Sequence, residues 1–374
     1  MVMSNKLPIR LDPTSQIPLA SQLGQQLTWL IASGQVSEGD QLPPVRALAE
    51  QLGINLHTVR AAYHQLSVDG MLSIQRGRRA RVLEYDRSRA KASWVDAPSF
   101  SIGVIIPEFV SFYAPMLRAI DAAAAESPTM VFICNAHNDP KTALAYLDRL
   151  VAKQVDGIVV AGPLLDRQVA LPPPGRPSLV FIDSPGSAGP GVEFDLEGSQ
   201  FKATNHLIEH GHQRIGYITP PRRIPNVGPK YSGYRKAIES ANLETKPELV
   251  AEVPDFEIRS GELAANRLLD LPNPPTAIAA SSDLLAFGAF HAITSRGLRI
   301  PDQVALVGND DIEMAAIIRP ALTTVSLPVA EAGKRAISML EDMMAGGSPS
   351  PPQIVLDTEL VIRETCGCSQ PAQG

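Results

Sequence analysis

The chain has 374 residues, an apolar fraction of 44% and a formal net charge of −6 at pH 7. This length exceeds one ordinary hydrophobic core and predicts two or three domains, and the composition is that of a folded globular protein. No apolar run reaches the roughly 20 residues that cross a membrane, and the N-terminal residues lack the hydrophobic segment of a signal peptide, so a cytoplasmic protein is expected. Three cysteines do not make a disulfide framework.

The charge is divided unevenly along the chain. Residues 1–91 hold 11 Lys and Arg side chains against 7 Asp and Glu, a net +4, whereas the rest of the chain carries a net −10. A basic front on an acidic body predicts that only the front meets a polyanion.

The front of the chain has the pattern of three helices. Apolar residues at helical spacing predict a first helix within 18–34 and a second over about 44–52, where Gly53 ends it. Asn55 is a good N-cap for a third helix over 56–68. One face of the third helix is apolar, and the opposite face, which packing does not need, holds His57, Arg60, Ala61 and His64.

Two short β-type runs follow around Gly77, with four arginines on or beside the turn: Arg76, Arg78, Arg79 and Arg81. The third helix of a helix-turn-helix fits the major groove of DNA, and flanking cations neutralise phosphates. The pattern favours a DNA-binding winged helix. The alternative from periodicity alone is a small helical domain with a solvated, arginine-rich loop.

The segment GDQLPPVRALAEQLGINLHTVRAAYHQLSVDGML closely resembles the winged helix-turn-helix of the GntR family, and the similarity covers about residues 10–83. Leu56 stands where that family often has Arg, and Arg79 replaces a second wing glycine. The resemblance implies that the DNA-facing residues are Arg46, Asn55, His57, Thr58, Arg60, Arg76, Gly77 and Arg78.

From residue 100 to about 366, short β-rich runs alternate with helical patterns, which predicts an α/β fold with parallel sheets. Ligands of such sheets bind beyond the carboxyl ends of the strands. Any one polar residue at these positions is more commonly a helix cap or turn former, so their convergence carries the prediction of a site. The residues are Glu108, Asn135, Asp183, Thr219, Ser282, Asp283, Asn309 and Asp310.

Segments such as DLEGSQFKATNHLIEHGHQRIGYIT and VALVGNDDIEMAAIIRPALTTV resemble the effector domain of the LacI/GalR family. The resemblance implies a periplasmic-binding-protein-like fold, two α/β lobes joined by three crossings, which we place near Asp195, Val325 and Gly346. Joined to a GntR-type head, the chain resembles AraR-type chimeric regulators.

The domain organisation that follows has a head, a charged linker, an effector-binding and dimerisation domain and a short tail. The first lobe combines about 100–194 with 326–346, and the second combines about 195–325 with 347–366. The four parts are residues 1–84, 85–99, 100–366 and 367–374.

The resemblance also implies a set of effector contacts, in which carboxylates accept hydrogen bonds from hydroxyls, a cation donates, and Phe256 stacks on a sugar face. Lys230 stands where the family usually has Arg, and Ser282 where it usually has Asn. A sugar-like effector is expected, with an anionic ligand attracted by Lys230 as the alternative. The contacts are Asp183, Lys230, Phe256, Ser282, Asp283 and Asp310.

Other reactive side chains receive no role from the sequence. His206, His210 and His212 include an i, i+4 pair, but no third metal ligand is evident, so no metal site is expected. Cys366 and Cys368 have the spacing to bind a soft metal or to sense oxidation, beside a polar tail. No nucleophile arrangement or phosphate loop accompanies Asp310, so neither catalysis nor a cofactor is expected.

The leading hypothesis is therefore a repressor of carbohydrate-metabolism genes, a homodimer on a palindromic double-stranded operator, whose DNA binding a small sugar-like effector alters. The sequence does not decide between induction and co-repression. An exported solute-binding protein would share the body, but the basic head and the missing signal peptide oppose it. A pyridoxal enzyme that follows a GntR-type head is the other alternative. It needs a Schiff-base lysine in a much longer second domain, whereas residues 100–366 resemble a binding fold.

Overall fold

The computed structural model of the protein describes residues 7–9, 11, 13, 18–32, 34–75, 78–84, 101–126, 129–165, 177–187 and 189–368. Within this part of the chain, a three-helix head precedes two α/β lobes. The predicted fold class is thereby confirmed. The predicted wing-tip residues Arg76 and Gly77 and the predicted linker over 85–99 lie outside the described residues.

The head contains α1 (Leu19–Ala32), α2 (Val45–Leu52), α3 (Leu56–Val68) and two short strands, β1 (Leu72–Ser73) and β2 (Arg81–Val82). The strands pair antiparallel as the base of a wing. The three helices and the strands share one hydrophobic core, and side chains such as Leu23, Leu48, Val59, Leu66 and Val82 are fully or almost fully buried in it.

Local sequence signals fix the helix-turn-helix geometry. Gly53 ends α2 at a φ of 65°, a left-handed conformation that glycine adopts without strain from a Cβ. Two residues later, the Asn55 side chain accepts a hydrogen bond from the backbone N–H of His57 at 2.8 Å and so caps α3. These two caps set where α3 begins and therefore which side chains it turns outward.

The described residues of the first part of the body, up to residue 194, alternate five strands with two helices. In chain order they are β3 (Ser101–Ile106), α4 (Ala114–Ala124), β4 (Met130–Asn135), α5 (Pro140–Lys153), β5 (Gly157–Ala161), β6 (Ser178–Ile182) and β7 (Gly191–Phe194).

The second part continues with the same alternation. It contains α6 (Leu196–Glu209), β8 (Ile215–Thr219), α7 (Val227–Ser240), β9 (Val250–Glu252), α8 (Ile258–Leu269), β10 (Ala277–Ala280), α9 (Asp283–Ser295), β11 (Ala305–Val307), α10 (Met314–Ile317) and β12 (Thr324–Ser326). The last elements are α11 (Val329–Met344), β13 (Gln353–Leu356) and β14 (Glu359–Val361).

Each lobe is built on one parallel sheet. Where the structure describes the chain, lobe 1 has six strands in the order β13-β7-β6-β5-β3-β4, and lobe 2 has four in the order β11-β10-β8-β9. Helices cover the sheets, and the central strands β5, β6, β8 and β10 are buried along their whole length. Such continuous apolar strands are typical of parallel sheets that are covered on both faces.

Three segments join the lobes. The chain passes from β7 to α6 at Asp195, returns after β12 at residues 327–328, and crosses a third time at residues 357–358, between β13 and β14. The expected third crossing near Gly346 is wrong, because β13 pairs in parallel with β7 and keeps the chain in lobe 1 to Leu356. β12 and β14 pair antiparallel with each other beside the crossings.

The head lies against lobe 1. Helix α1 contacts the end of α5, where Gln25 Nε2 donates a hydrogen bond to Gln154 Oε1 at 2.8 Å. Trp29 lines the same cleft together with Ala152 and Lys153. The described part of the chain has no helix that is both long enough and apolar enough to span a membrane.

Candidate DNA-binding surface and effector site

The candidate DNA-binding surface is the outer face of α3 with the neighbouring part of α2. Arg46, Asn55, His57 and Arg60 are exposed there, and Thr58 is half-buried. The opposite face of α3 is buried in the head, as its apolar spacing predicted, through Val59, Ala62, Tyr63 and Leu66. The polar face therefore does not take part in the packing of the head, although Asn55 also caps its own helix.

The described part of the wing adds cations beside this face. Arg78 is exposed, and its Nη1 donates to Gln75 Oε1 at 3.0 Å, which holds the guanidinium next to the base of the wing. Arg79 and Arg81 are exposed as well. Leu56 exposes 36% of its surface at the start of α3, where the GntR pattern often has Arg.

The candidate effector site lies where strand ends of both lobes meet. Asp183 follows β6 in lobe 1, whereas Lys230 lies on α7 and Asp310 follows β11 in lobe 2. Lys230 Nζ donates to Asp310 Oδ1 at 3.2 Å and to the carbonyl oxygen of Ser281 at 2.8 Å. Because the Lys230 and Asp310 side chains expose only 8% and 14%, this is a buried ion pair.

Asp183 links the two lobes. Its Oδ2 accepts a hydrogen bond from Asn226 Nδ2 at 3.3 Å, and Asn226 lies just before α7 in lobe 2. In the described part of the chain, Asp183 Oδ1 and Asn226 Oδ1 are buried without a hydrogen-bond partner. Two buried acceptors without partners are suited to a ligand that brings O–H or N–H donors.

Electrostatics show that these groups share one site. Burial raises the pKa of Asp183 to about 6, against the opposing effects of Lys230 and Asn226, and Asp310 raises it further. The pKa of Tyr113 lies well above its usual value because of burial and because of the charges of Asp183 and Asp310. The Tyr113 hydroxyl therefore lies within electrostatic range of both carboxylates.

The backbone at these carboxylates is strained. Asp183 has a φ of 50° and Asp310 a φ of 130°, values that side-chain-bearing residues rarely adopt. Backbone hydrogen bonds hold both: Asp183 N donates to Val192 O at 2.9 Å, and Asp310 N donates to Val325 O at 2.8 Å. Such conformations persist only where surrounding structure enforces them, and they concentrate at binding sites.

The structure gives three of the predicted contacts other partners. Asp283 is fully buried, and its carboxylate accepts hydrogen bonds from Thr324 Oγ1 at 2.5 Å and from Ile312 N at 2.9 Å. It therefore holds the loop after β11 against β12 and does not face the cleft. Ser282 caps α9 through Leu285 N, and Phe256 packs half-buried on the core of lobe 2.

Other strand-end residues pair within their own lobe. Asn135 Nδ2 donates to Glu108 Oε1 at 2.7 Å in lobe 1. Buried Asn309 donates to Ser199 Oγ at 3.2 Å in lobe 2. Sequence reasoning missed Asn226 and Tyr113, because neither directly follows a strand. Asn226 reaches Asp183 from the other lobe, whereas Tyr113 belongs to the same lobe as Asp183.

Two parts of the chain match known families. Residues 19–82 match the profile of bacterial regulatory proteins of the gntR family, and residues 204–366 match that of the periplasmic binding protein-like domain. The HTH-type transcriptional repressor CytR of Escherichia coli K12 is 32% identical over 274 residues, 71% of this chain and 79% of its own. The chain belongs to the LacI family of transcriptional repressors.

Further relatives support this assignment. The repressor PurR of Mannheimia succiniciproducens is 30% identical over 297 residues, covering 76% of this chain and 86% of its own. Among solved structures, CcpA of Lactococcus lactis has a TM-score of 0.64 at 26% identity, over 71% of this chain and 98% of its own. A LacI-family regulator from Sanguibacter keddieii has a TM-score of 0.66 at 29% identity, over 73% of this chain and 100% of its own.

The family assignment decides between the function classes. This LacI-family member is a DNA-binding transcriptional repressor and not an enzyme. Its head is of the GntR type, so the chimeric organisation predicted from the sequence is confirmed.

Proposed function

We propose that this repressor is controlled by a neutral, hydroxyl-rich, sugar-like effector, bound between the lobes by Asp183, Lys230 and Asp310. The observation that carries the proposal is the pair of buried carboxylates, one from each lobe, beside a single cation that Asp310 already neutralises. Carboxylates accept hydrogen bonds from vicinal hydroxyls.

The charge of the site disfavours the anionic alternative. Lys230 has its hydrogen bonds directed at Ser281 O and Asp310, so attracting an anion requires breaking a buried ion pair. The excess charge is negative, because Asp183 stands beside the pair and its carboxyl is ionised above about pH 6. A phosphate or carboxylate ligand is repelled by such a site.

The site is mechanically connected to the hinge. The backbone N–H of Asp310 donates a hydrogen bond to Val325 O on β12, and Thr324 Oγ1 donates one to the Asp283 carboxylate. Arg363 Nη2 donates to Asp311 Oδ1 at 2.6 Å. These contacts lie beside the second and third crossings. An effector that stabilises one lobe arrangement therefore changes the placement of the heads, to the extent that it binds the DNA-competent and DNA-incompetent states unequally.

The DNA-reading part of the proposal is a homodimer that acts in the cytoplasm and places two α3 helices on a palindromic operator. Arg46, His57, Thr58 and Arg60 face the DNA, with Asn55 at the start of the helix and Arg78 at the wing, together with Arg76 and Gly77. The matches of the head and the body to DNA-binding regulators support this arrangement.

A ligand screen on the full chain tests the effector. We expect neutral mono- and disaccharides or polyols to raise the melting temperature, because a ligand at a concentration of 100 times its Kd stabilises the folded protein by about 2.7 kcal/mol. Sugar phosphates and sugar acids of matched size serve as controls. Stabilisation by the charged compounds alone would contradict a hydroxyl-binding site.

Exposed apolar side chains support the homodimer. In lobe 1, Met130 and Ile133 on the edge strand β4 expose 64% and 45%. We expect Ile133→Asp to convert the dimer to a monomer, because an unpaired carboxylate buried in an interface costs several kcal/mol. Analytical ultracentrifugation measures the mass. The matched control is Val355→Asp on β13, the strand at the opposite edge of the same sheet. Val355 is also an exposed apolar residue, with 66% of its surface accessible.

If the unsubstituted chain sediments as a monomer at micromolar concentration, the homodimer proposal fails. If Val355→Asp dissociates the dimer and Ile133→Asp does not, the interface lies at the other edge of lobe 1.

A further inference from the structure

Four soft side chains that are far apart in the sequence meet at one end of lobe 2. His206 and His210 lie one turn apart at the end of α6, with their ring centroids 4.7 Å apart. Cys366 and Cys368 lie in the segment that follows β14. These residues take no part in the effector site or in the DNA-binding surface.

The ligating atoms point at one another. Cys368 Sγ lies 2.9 Å from His210 Nε2 and 3.1 Å from His206 Nε2, and Cys366 Sγ lies 3.0 Å from Cys368 Sγ. The donor atoms of His206, His210 and Cys368 all lie within 4.8 Å of one another. Two imidazole nitrogens and two sulfur atoms are the donor set of tetrahedral Cys2His2 zinc sites.

We propose that His206, His210, Cys366 and Cys368 bind one Zn²⁺ ion. With Zn–S and Zn–N bonds of about 2.3 and 2.0 Å, tetrahedral geometry places the donor atoms roughly 3.4–3.8 Å apart. The separations from Cys368 Sγ are shorter by about 0.4–0.8 Å, a change that side-chain rotations supply, and Cys366 Sγ, which lies outside the compact group of three, has to turn toward the two imidazoles. Binding converts the thiols to thiolates and releases their protons to solvent.

The surroundings are built for this role. Gly367 has a φ of 85°, and this left-handed turn brings the two flanking cysteines to the same cluster. Cys366 is almost fully buried, and Thr323 Oγ1 donates to its sulfur at 3.2 Å, as an outer-sphere group does to a metal thiolate. The third histidine of the stretch, His212, instead contacts Thr276 Oγ1 at 2.9 Å.

The bound ion would fasten the end of the chain to α6. That helix begins directly after the first crossing, and the cysteine segment follows β14, which pairs with β12 beside the other crossings. A metal at this position therefore stiffens lobe 2 next to the hinge without entering the effector cleft.

Zinc titration of the full chain, with any polyhistidine tag removed and after dialysis against a chelator and a thiol reductant, tests the proposal. A chromogenic chelator competing for Zn²⁺ reports affinity and stoichiometry, and Co²⁺ reports geometry through the visible bands of tetrahedral thiolate complexes. The variants are Cys368→Ser and His210→Gln. The matched controls are His212→Gln and Cys134→Ser, which remove a histidine and a cysteine outside the cluster.

We expect one ion per chain, a loss of affinity of about 100-fold or more in each ligand variant, and no change in either control. Because His210 is exposed, its replacement leaves the fold intact, so His210→Gln remains informative if Cys368→Ser is unstable. Equal affinity in the His210→Gln and unsubstituted chains would overturn the site. So would mass spectrometry of the alkylated, purified protein that finds a Cys366–Cys368 disulfide in its place.

Discussion

Arg60→Ala is expected to weaken operator binding by at least about 30-fold, because each guanidinium contact to a base edge contributes about 1–3 kcal/mol and a dimer loses two of them. Arg60 is exposed on α3 and opposite the buried face, so the melting temperature should not change. Operator duplexes chosen by selection from random DNA, with fluorescence anisotropy at fixed salt, give the affinity.

The matched control for this substitution is Arg235→Ala. Arg235 is an exposed arginine on α7 in lobe 2, where it pairs with Glu239. The salt dependence then separates the two kinds of contact, because loss of a phosphate contact lowers the slope of log K against log salt by about one per contact. An Arg60→Ala repressor with full operator affinity would remove α3 from the DNA interface.

Asp183→Asn should abolish the response to effector and stabilise the effector-free protein at neutral pH. Asparagine keeps the shape of the side chain, tolerates the φ of 50° and still accepts a hydrogen bond from Asn226. It removes a buried charge, however. Burial raises the pKa of Asp183 from 3.8 to about 6, so ionisation of the folded protein costs about 3 kcal/mol.

The pH dependence of this effect has a definite sign. A carboxyl with a raised pKa stabilises the fold fully below about pH 4, and this stabilisation is lost as the pH rises through about 6. The melting-temperature advantage of Asp183→Asn over the unsubstituted protein should therefore increase from about pH 4 to pH 6 and level off above it. An advantage that is flat or falls between pH 4 and pH 6 would show that Asp183 is not a buried carboxylate.

The response itself needs a separate control. Asp302→Asn replaces an exposed carboxylate that pairs with Arg299 on the surface of lobe 2, and it should leave the effector-induced change in DNA affinity intact. If Asp183→Asn keeps that response in full, the effector binds elsewhere in the molecule.

Local signals made much of the fold predictable. The caps at Gly53 and Asn55 and the helical spacing of apolar residues determine the head, and strictly local chemistry is what these signals report. The alternation of buried strands and helices likewise predicts parallel sheets. The third crossing was misplaced because the half-exposed strand β13 has a weak pattern and becomes a strand only by pairing with β7.

The sites depended more on tertiary structure. Sequence alone determined that Asp183 and Asp310 follow strands and that Arg46, His57 and Arg60 lie on an unburied helix face. Only the folded chain decided which of these side chains meet. In the fold, the Asp283 carboxylate accepts a hydrogen bond from Thr324 beside the hinge, and Asn226 donates one to Asp183. The fold also brings Cys368 against a histidine pair some 160 residues earlier in the sequence.

The physical reason is the separation along the chain of the residues that each kind of interaction joins. Helix caps, turns and amphipathic faces depend on residues a few positions apart, so the order of residues specifies them. Burial, charge pairing and metal ligation depend on which distant segments the two sheets and their crossings place side by side. His206 and His210 lack a third ligand along the sequence and acquire one only when the segment after β14 packs against the end of α6.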